Sequence, residues 1–155
     1  MKDFIFHQLS SDSEIPYQLL LLADEAKEAI DQYIFKSDIY LLHDGIEDIA
    51  VMALCKSNET ELEIKNVAVI ESYRSKGIGS ILMNKAKEIA RQNHYKTLIV
   101  GTSDTGFQQI RFYEKNGFKK TGIRKDFFIE NYPLPIFENG LQMRDMVLLT
   151  HYLAE

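Results

Sequence analysis

The sequence predicts a single α/β domain, with a mixed central sheet and helices on its flanks. Three observations carry that prediction. Short apolar runs alternate with stretches whose apolar residues fall at helical spacing. Residues 39–69 hold successive strand signals separated only by turn residues, which breaks the strict strand–helix alternation of a doubly wound nucleotide fold. Finally, an apolar strand ending in Val67-Ala68-Val69 runs into a basic, glycine-containing loop that opens directly into an amphipathic helix.

The elements follow in order. Residues 4–9 read as a first strand. Ser11, Ser13 and Pro16 then announce a helical region. Asp24, as an N-cap, divides it into a first piece around residues 19–22 and a second helix over residues 25–35. Residues 39–42 and 49–55 form a hairpin about Asp44-Gly45, and Asn58-Glu59 turns the chain into a strand over residues 62–69. From residue 79 to 93, apolar side chains at 81, 82, 86, 89 and 90 keep helical spacing. Residues 97–100 form a short buried strand. A helix over residues 105–116 stops at Asn116-Gly117, a C-cap pair. Residues 118–124 and 143–150 are the last two strands, separated by a long connection. The predicted order is β-α(α)-β-β-β-α-β-α-β-β. No linker, repeat or low-complexity segment interrupts it, so residues 1–155 are expected to form one domain.

Composition excludes several functions. The chain has 155 residues, 45% hydrophobic and 26% charged, with a formal net charge of −5. No long basic run provides the positive face that nucleic-acid binding needs, so no nucleic-acid partner is expected. A single cysteine, Cys55, allows no internal disulfide and sits in an apolar run, as a core thiol would. His7, His43, His94 and His151 are scattered, and no Cys/His spacing suggests a metal. The stretch from Met1 to Phe6 lacks the apolar core of a signal peptide, and no apolar run reaches the ~20 residues of a membrane span. The cytoplasm is the expected location.

The loop from Arg74 to Ser80 carries the chemistry. Exposed backbone N–H groups, the orphan donors of a helix start and its partial positive charge together suit a phosphate or pyrophosphate. Gly77 and Gly79 let the backbone approach such an anion with no Cβ in the way. The spacing is neither that of a Walker loop nor that of a Rossmann fingerprint. Arg74-x-x-Gly77-x-Gly79 after an apolar strand resembles the acyl-CoA loop of the GNAT superfamily of N-acyltransferases. Downstream, Phe112-Tyr113-Glu114-Lys115-Asn116-Gly117-Phe118 resembles that family's second hallmark, a Tyr-bearing helix closed by Gly-Phe. The resemblance is strong over residues 62–118 and extends to the rest by topology.

What the resemblance implies is specific. Acetyl-CoA is the expected co-substrate, its pantetheine arm lying along Val67, Ala68 and Val69. Its pyrophosphate would sit on the amides of Arg74, Ser75, Lys76, Gly77, Ile78, Gly79 and Ser80. A backbone N–H near Val69 would donate to the thioester oxygen and gain strength as negative charge develops there. Tyr113 is the implied general acid toward the departing thiolate, although a helix-face tyrosine also serves simply to pack a core. Glu63 falls where histone-type members place a base, while the alternation Glu61, Glu63, Lys65 also fits a solvated strand face. Two positions depart from the pattern. Gly106 stands where members often carry an Asn, and Gln109 where they carry a small residue; Ser103, Asp104 and Thr105 are nearby substitutes for the missing contact.

Residues 126–140 combine aromatic rings with Asp126, Glu130 and Glu138 and are broken by Pro133 and Pro135. In the family this connection walls the acceptor site, and such a mixture suits a cationic, partly apolar amine. An aromatic-filled lid or a dimer contact fits equally well. With Arg144-Asp145-Met146, this stretch resembles a bacterial branch of the family. The expectation is therefore an N-acetyltransferase that acylates a primary amine, on a small molecule or a peptide, by direct transfer in a ternary complex. A non-catalytic acyl-CoA sensor on the same fold is the alternative. The resemblance also admits a homodimer.

Overall fold

The computed structural model describes residues 3–153. The outermost residues of the expected 1–155 domain, including Met1 and Lys2 of the stretch read for a signal peptide, lie outside the described residues. In chain order the elements are β1 (Ile5–Gln8), α1 (Tyr17–Leu20), α2 (Lys27–Asp31), β2 (Asp38–His43), β3 (Asp48–Asn58), β4 (Glu61–Val69), α3 (Ile78–Gln92), β5 (Thr97–Ser103), α4 (Phe107–Lys115), β6 (Lys119–Arg124), α5 (Phe127–Glu130), β7 (Phe137–Glu138), β8 (Leu141–Gln142) and β9 (Met146–Tyr152). Seven strands form one sheet in the order β1-β2-β3-β4-β5-β9-β6, and β7 pairs with β8 in a separate ribbon. Only β4 and β5 run parallel; every other neighbouring pair in the large sheet is antiparallel.

Helices cover both faces, which explains the unbroken apolar run of β3. Residues 49–55 are all buried, because neither face of a central strand meets water. Tyr40 and Leu42 of β2 point into one core with Leu82, Met83, Ala86 and Ala90 of α3 and with Ile110 and Tyr113 of α4. Ile39 and Leu41 point the other way, into a core with Leu20, Ile30, Tyr33 and Ile34. The period-2 alternation of a strand thus feeds two cores at once. Cys55 is buried, its Sγ directed at the carbonyl oxygens of Lys36 and Lys56, 3.7 Å from each.

The structure departs from the sequence expectations in three places. Asp24 does not cap a helix: α2 starts at Lys27 behind an extended Ala26, with no side-chain cap, because the Asp24 carboxylate is taken by tyrosines described below. Strand β5 runs on to Ser103, and β9 begins only at Met146, because the two pair along their whole length. The connection over residues 126–140 is no plain loop; it contains α5 and the start of the β7–β8 ribbon.

One irregularity positions everything that follows. β4 pairs with β5 only from Glu61 to Ile64, opposite Thr97 to Val100. On its other edge the register with β3 slips, Leu54 facing Ile64 and Ala53 facing Asn66, so that Lys65 is the extra residue of a bulge. Beyond it β4 continues to Val69 beside β3 alone, and β5 continues to Ser103 beside β9 alone. The two central strands part, and the sheet opens between them.

Candidate active site

The opening is a cleft of about 1040 Å³. Val67, Ala68, Val69, Arg74, Ser75, Gly77, Ile78, Gly79 and Ser80 line it, and so do Glu63 and Tyr113. Lys76 does not; its ammonium lies over the Tyr73 ring, 5.7 Å from the centroid. Past the bulge, the edge of β4 that faces the cleft has no neighbouring strand among the described residues, so its N–H and C=O groups, the Val69 carbonyl held by Arg74 excepted, are open to an extended ligand.

The cleft runs from that edge to the start of α3. Arg74 Nε donates to the Val69 carbonyl at 3.0 Å and pins the loop to the end of β4. Gly77 is the N-cap at φ +82°, a left-handed conformation that a Cβ would strain. No side chain caps the 15-residue helix, and Gly77, Ile78, Gly79 and Ser80 at its start line the cleft, which brings uncapped N–H groups and the positive end of a helix dipole to it. Gly79 has a different reason. A Cβ there would come within 2.8 Å of Phe112 Cζ, so the residue is small because α4 leans on it. This donor set fits a diphosphate.

Tyr113, on α4, is 7% exposed, its ring held edge-on between Phe112 and Phe118 at 5.3 and 5.8 Å. Burial raises the phenol's pKa above its ordinary value, which keeps it a neutral donor. Glu63 is 6% exposed, so the solvated-face reading of its strand does not hold. Arg124 grips its two oxygens through Nη1 and Nη2, each at 3.3 Å, and Lys65 Nζ lies 3.4 Å from Oε2. The carboxylate braces β6 to β4 across two intervening strands while its residue borders the cleft.

The opposite wall was not legible beforehand. Asp24 accepts from the Glu25 N–H at 2.7 Å, from Tyr33 Oη at 3.0 Å and from Tyr132 Oη at 2.6 Å. Tyr33 Oη in turn accepts from Asn66 Nδ2 at 3.0 Å, and the same amide donates to the Leu20 carbonyl. Among the described residues Asn66 Oδ1 has no partner. All four side chains belong to residues of the cleft wall. An Asn within an expected strand and an Asp after Leu-Leu-Ala were the sequence signals, and neither names a partner.

Of the acids in residues 126–140, Glu138 alone lines the cleft, accepting from Thr105 Oγ1 at 3.1 Å. Glu130 is exposed away from it, and Asp126 pairs with Arg144 at 3.7 Å. Gln109 and Ser103 also line the cleft. Gly106 caps α4 tightly: a Cβ would lie 3.2 Å from the Ser103 carbonyl, which accounts for a glycine at this departure from the family pattern.

Comparison with known proteins agrees with this architecture. Residues 36–120 match the Acetyltransferase (GNAT) domain family. An uncharacterized N-acetyltransferase of Bacillus subtilis strain 168, YvbK, is 41% identical over 133 residues, 86% of each chain. A GNAT family acetyltransferase from Elizabethkingia anophelis, solved with acetyl-CoA bound, superposes with a TM-score of 0.93 at 42% identity, over 97% of this chain and 98% of that one. A Bacillus subtilis acetyltransferase in complex with CoA gives 0.90 at 36% identity, over 98% and 100%. The chain belongs to the GNAT acetyltransferase family. Among the described residues no helix is long and apolar enough to cross a membrane.

Proposed function

We propose that this protein transfers the acetyl group of acetyl-CoA directly to a primary amine, both substrates being bound at once. One observation carries the reading: the edge of β4 left without a strand and the uncapped start of α3 line the same cleft. An extended arm with a diphosphate at its end matches that arrangement. The acetyl-CoA and CoA held by the two structural relatives agree with it. The cofactor contacts fall on Val67, Ala68 and Val69 and on the amides from Arg74 to Ser80. Lys76 contributes its backbone and not its side chain.

Transfer forms a C–N bond from the amine nitrogen to the acetyl carbon and breaks the C–S bond. The electron pair leaves on sulfur. Tyr113 donates a hydrogen bond to that thiolate. Burial keeps the Tyr113 phenol protonated and so available as general acid to that thiolate, whose parent thiol titrates near ~8.5; solvent then restores the phenol's proton. The amine's surplus proton passes to Glu63 through water. Because Arg124 and Lys65 already engage the carboxylate, a water relay fits better than direct contact. The reading requires a compartment supplied with acetyl-CoA, in keeping with the cytoplasmic expectation.

Calorimetric titration with acetyl-CoA is the test. The wild type should bind in the micromolar range, and Gly77→Pro, which forces φ negative, should not, with a melting curve confirming that it folds. A wild type that binds no acetyl-CoA would end the acetyltransferase reading.

A further inference from the structure

The acceptor side of the cleft is bridged. Its two walls are the α1–α2 loop, carrying Asp24, and the segment after β6, carrying Phe128 and Tyr132. Tyr132 Oη donates to Asp24 Oδ1 at 2.6 Å and joins them directly. The bond is charge-assisted and backed by a relay: Tyr33 Oη on Asp24 Oδ2 and Asn66 Nδ2 on Tyr33 Oη, both at 3.0 Å. That relay ties the bridge to β4 itself. Phe128, 8% exposed, stacks on Tyr132 with centroids 5.8 Å apart and planes 24° from parallel. The segment is also pinned further along. The Phe128 N–H donates to the Arg144 carbonyl at 2.9 Å, Thr105 Oγ1 to Glu138 at 3.1 Å, and Asn139 Nδ2 to the Thr105 carbonyl at 2.8 Å.

A polypeptide acceptor that presents its amine close to its backbone must lay that backbone between these walls, at ~3.3 Å per residue, and needs an open groove or a free edge. The bridge crosses that path. We infer that the acceptor is a small, free, partly apolar primary amine and not the N-terminus of a polypeptide. This inference rests on the acetyltransferase reading above. The rings of Tyr33, Phe128 and Tyr132 supply the apolar lining, and Asp24 and Glu138 supply the negative charge for a cationic amine on arrival.

The probes are bisubstrate analogues, in which the CoA sulfur is joined through an acetyl bridge to an amine. Three amines suffice: phenethylamine, alaninamide, and the N-terminus of a pentapeptide that begins with alanine. Calorimetry needs no turnover, so affinities can be compared on the wild type and on Tyr132→Phe, which keeps the ring and removes the bridge. The wild type should bind the pentapeptide analogue at least about tenfold more weakly than the other two. In Tyr132→Phe that gap should narrow to about threefold or less. A pentapeptide analogue bound as tightly as the alaninamide analogue by the wild type would overturn the inference and leave the acetyltransferase reading intact. A gap undiminished in Tyr132→Phe would overturn the bridge as its cause. Failure of acetyl-CoA and of all three analogues to bind would remove the reading on which the inference rests.

Discussion

Tyr113 shows what burial does to a single phenol. The residue lines the cleft, but its ring belongs to the core, where Phe112 and Phe118 hold it edge-on. The two roles separate in Tyr113→Phe, which keeps the packing and removes only the donor. Turnover should fall by about 10²-fold, while acetyl-CoA affinity stays within about twofold. Steady-state kinetics paired with calorimetry checks both halves. Equal loss of affinity and rate would make the tyrosine a binding group and not a thiolate donor. Glu63 illustrates the opposite case, a side chain whose alternation with Glu61 and Lys65 suggested solvent but whose carboxylate is buried against Arg124. The partner lies 61 residues away in the chain, and strand order alone brings it near.

Between elements, the contact of α3 with α4 shapes the start of α3, where it borders the cleft. Gly79 lies in the first turn of α3 with the Phe112 ring against its Cα. Gly79→Ala should therefore cost about 1–3 kcal/mol through overpacking, despite alanine's better helix propensity. Adding Phe112→Leu should recover much of that loss. Thermal melts of the single and double variants decide it; a Gly79→Ala variant as stable as the wild type would mean that α4 yields freely. The same contact separates the two glycines of the loop. Gly77 answers to a backbone conformation and Gly79 to a neighbouring helix, whereas from the sequence both answered to the ligand. The segment over residues 126–140 behaves likewise as an element, since its helix, ribbon and bridging tyrosine are bonded to three other parts of the chain.

For the whole molecule, the organising fact is a sheet that opens where β4 and β5 part, with the buried Tyr33 and Tyr113 and the half-buried Tyr132 around the opening. Burial raises the phenol pKa of Tyr33, Tyr113 and Tyr132, and for Tyr132 and Tyr33 the carboxylate of Asp24 adds to it. In the unfolded chain a tyrosine titrates near about 10. Below that pH both states hold their protons and the full stability is present. Above it the unfolded chain releases protons that the folded chain retains, so stability falls as pH rises. Urea midpoints should stay level from about pH 8 to about pH 10 and decline beyond, less steeply in Tyr113→Phe. A midpoint insensitive to alkali would show that these hydroxyls are not buried in solution.

The sequence by itself determined the fold class, most of the strands, the helix that follows the loop, and the loop and tyrosine motifs. Those signals are local: apolar period, turn residues, and glycines at short spacing. It also supplied both members of the brace and of the bridge without saying that they meet. Asp24 looked like a helix cap because an Asp before a helical stretch usually is one. What overrode that preference was Tyr132, 108 residues further on, and a hydroxyl near a carboxylate leaves no mark on either local pattern. The bulge at Lys65 is equally silent, since an extra residue in a strand shows only in the register of its neighbour. Tertiary structure alone decided that the strands part there, which acids line the opening, and that Tyr132 and Asp24, on two loops of its wall, are bonded to each other.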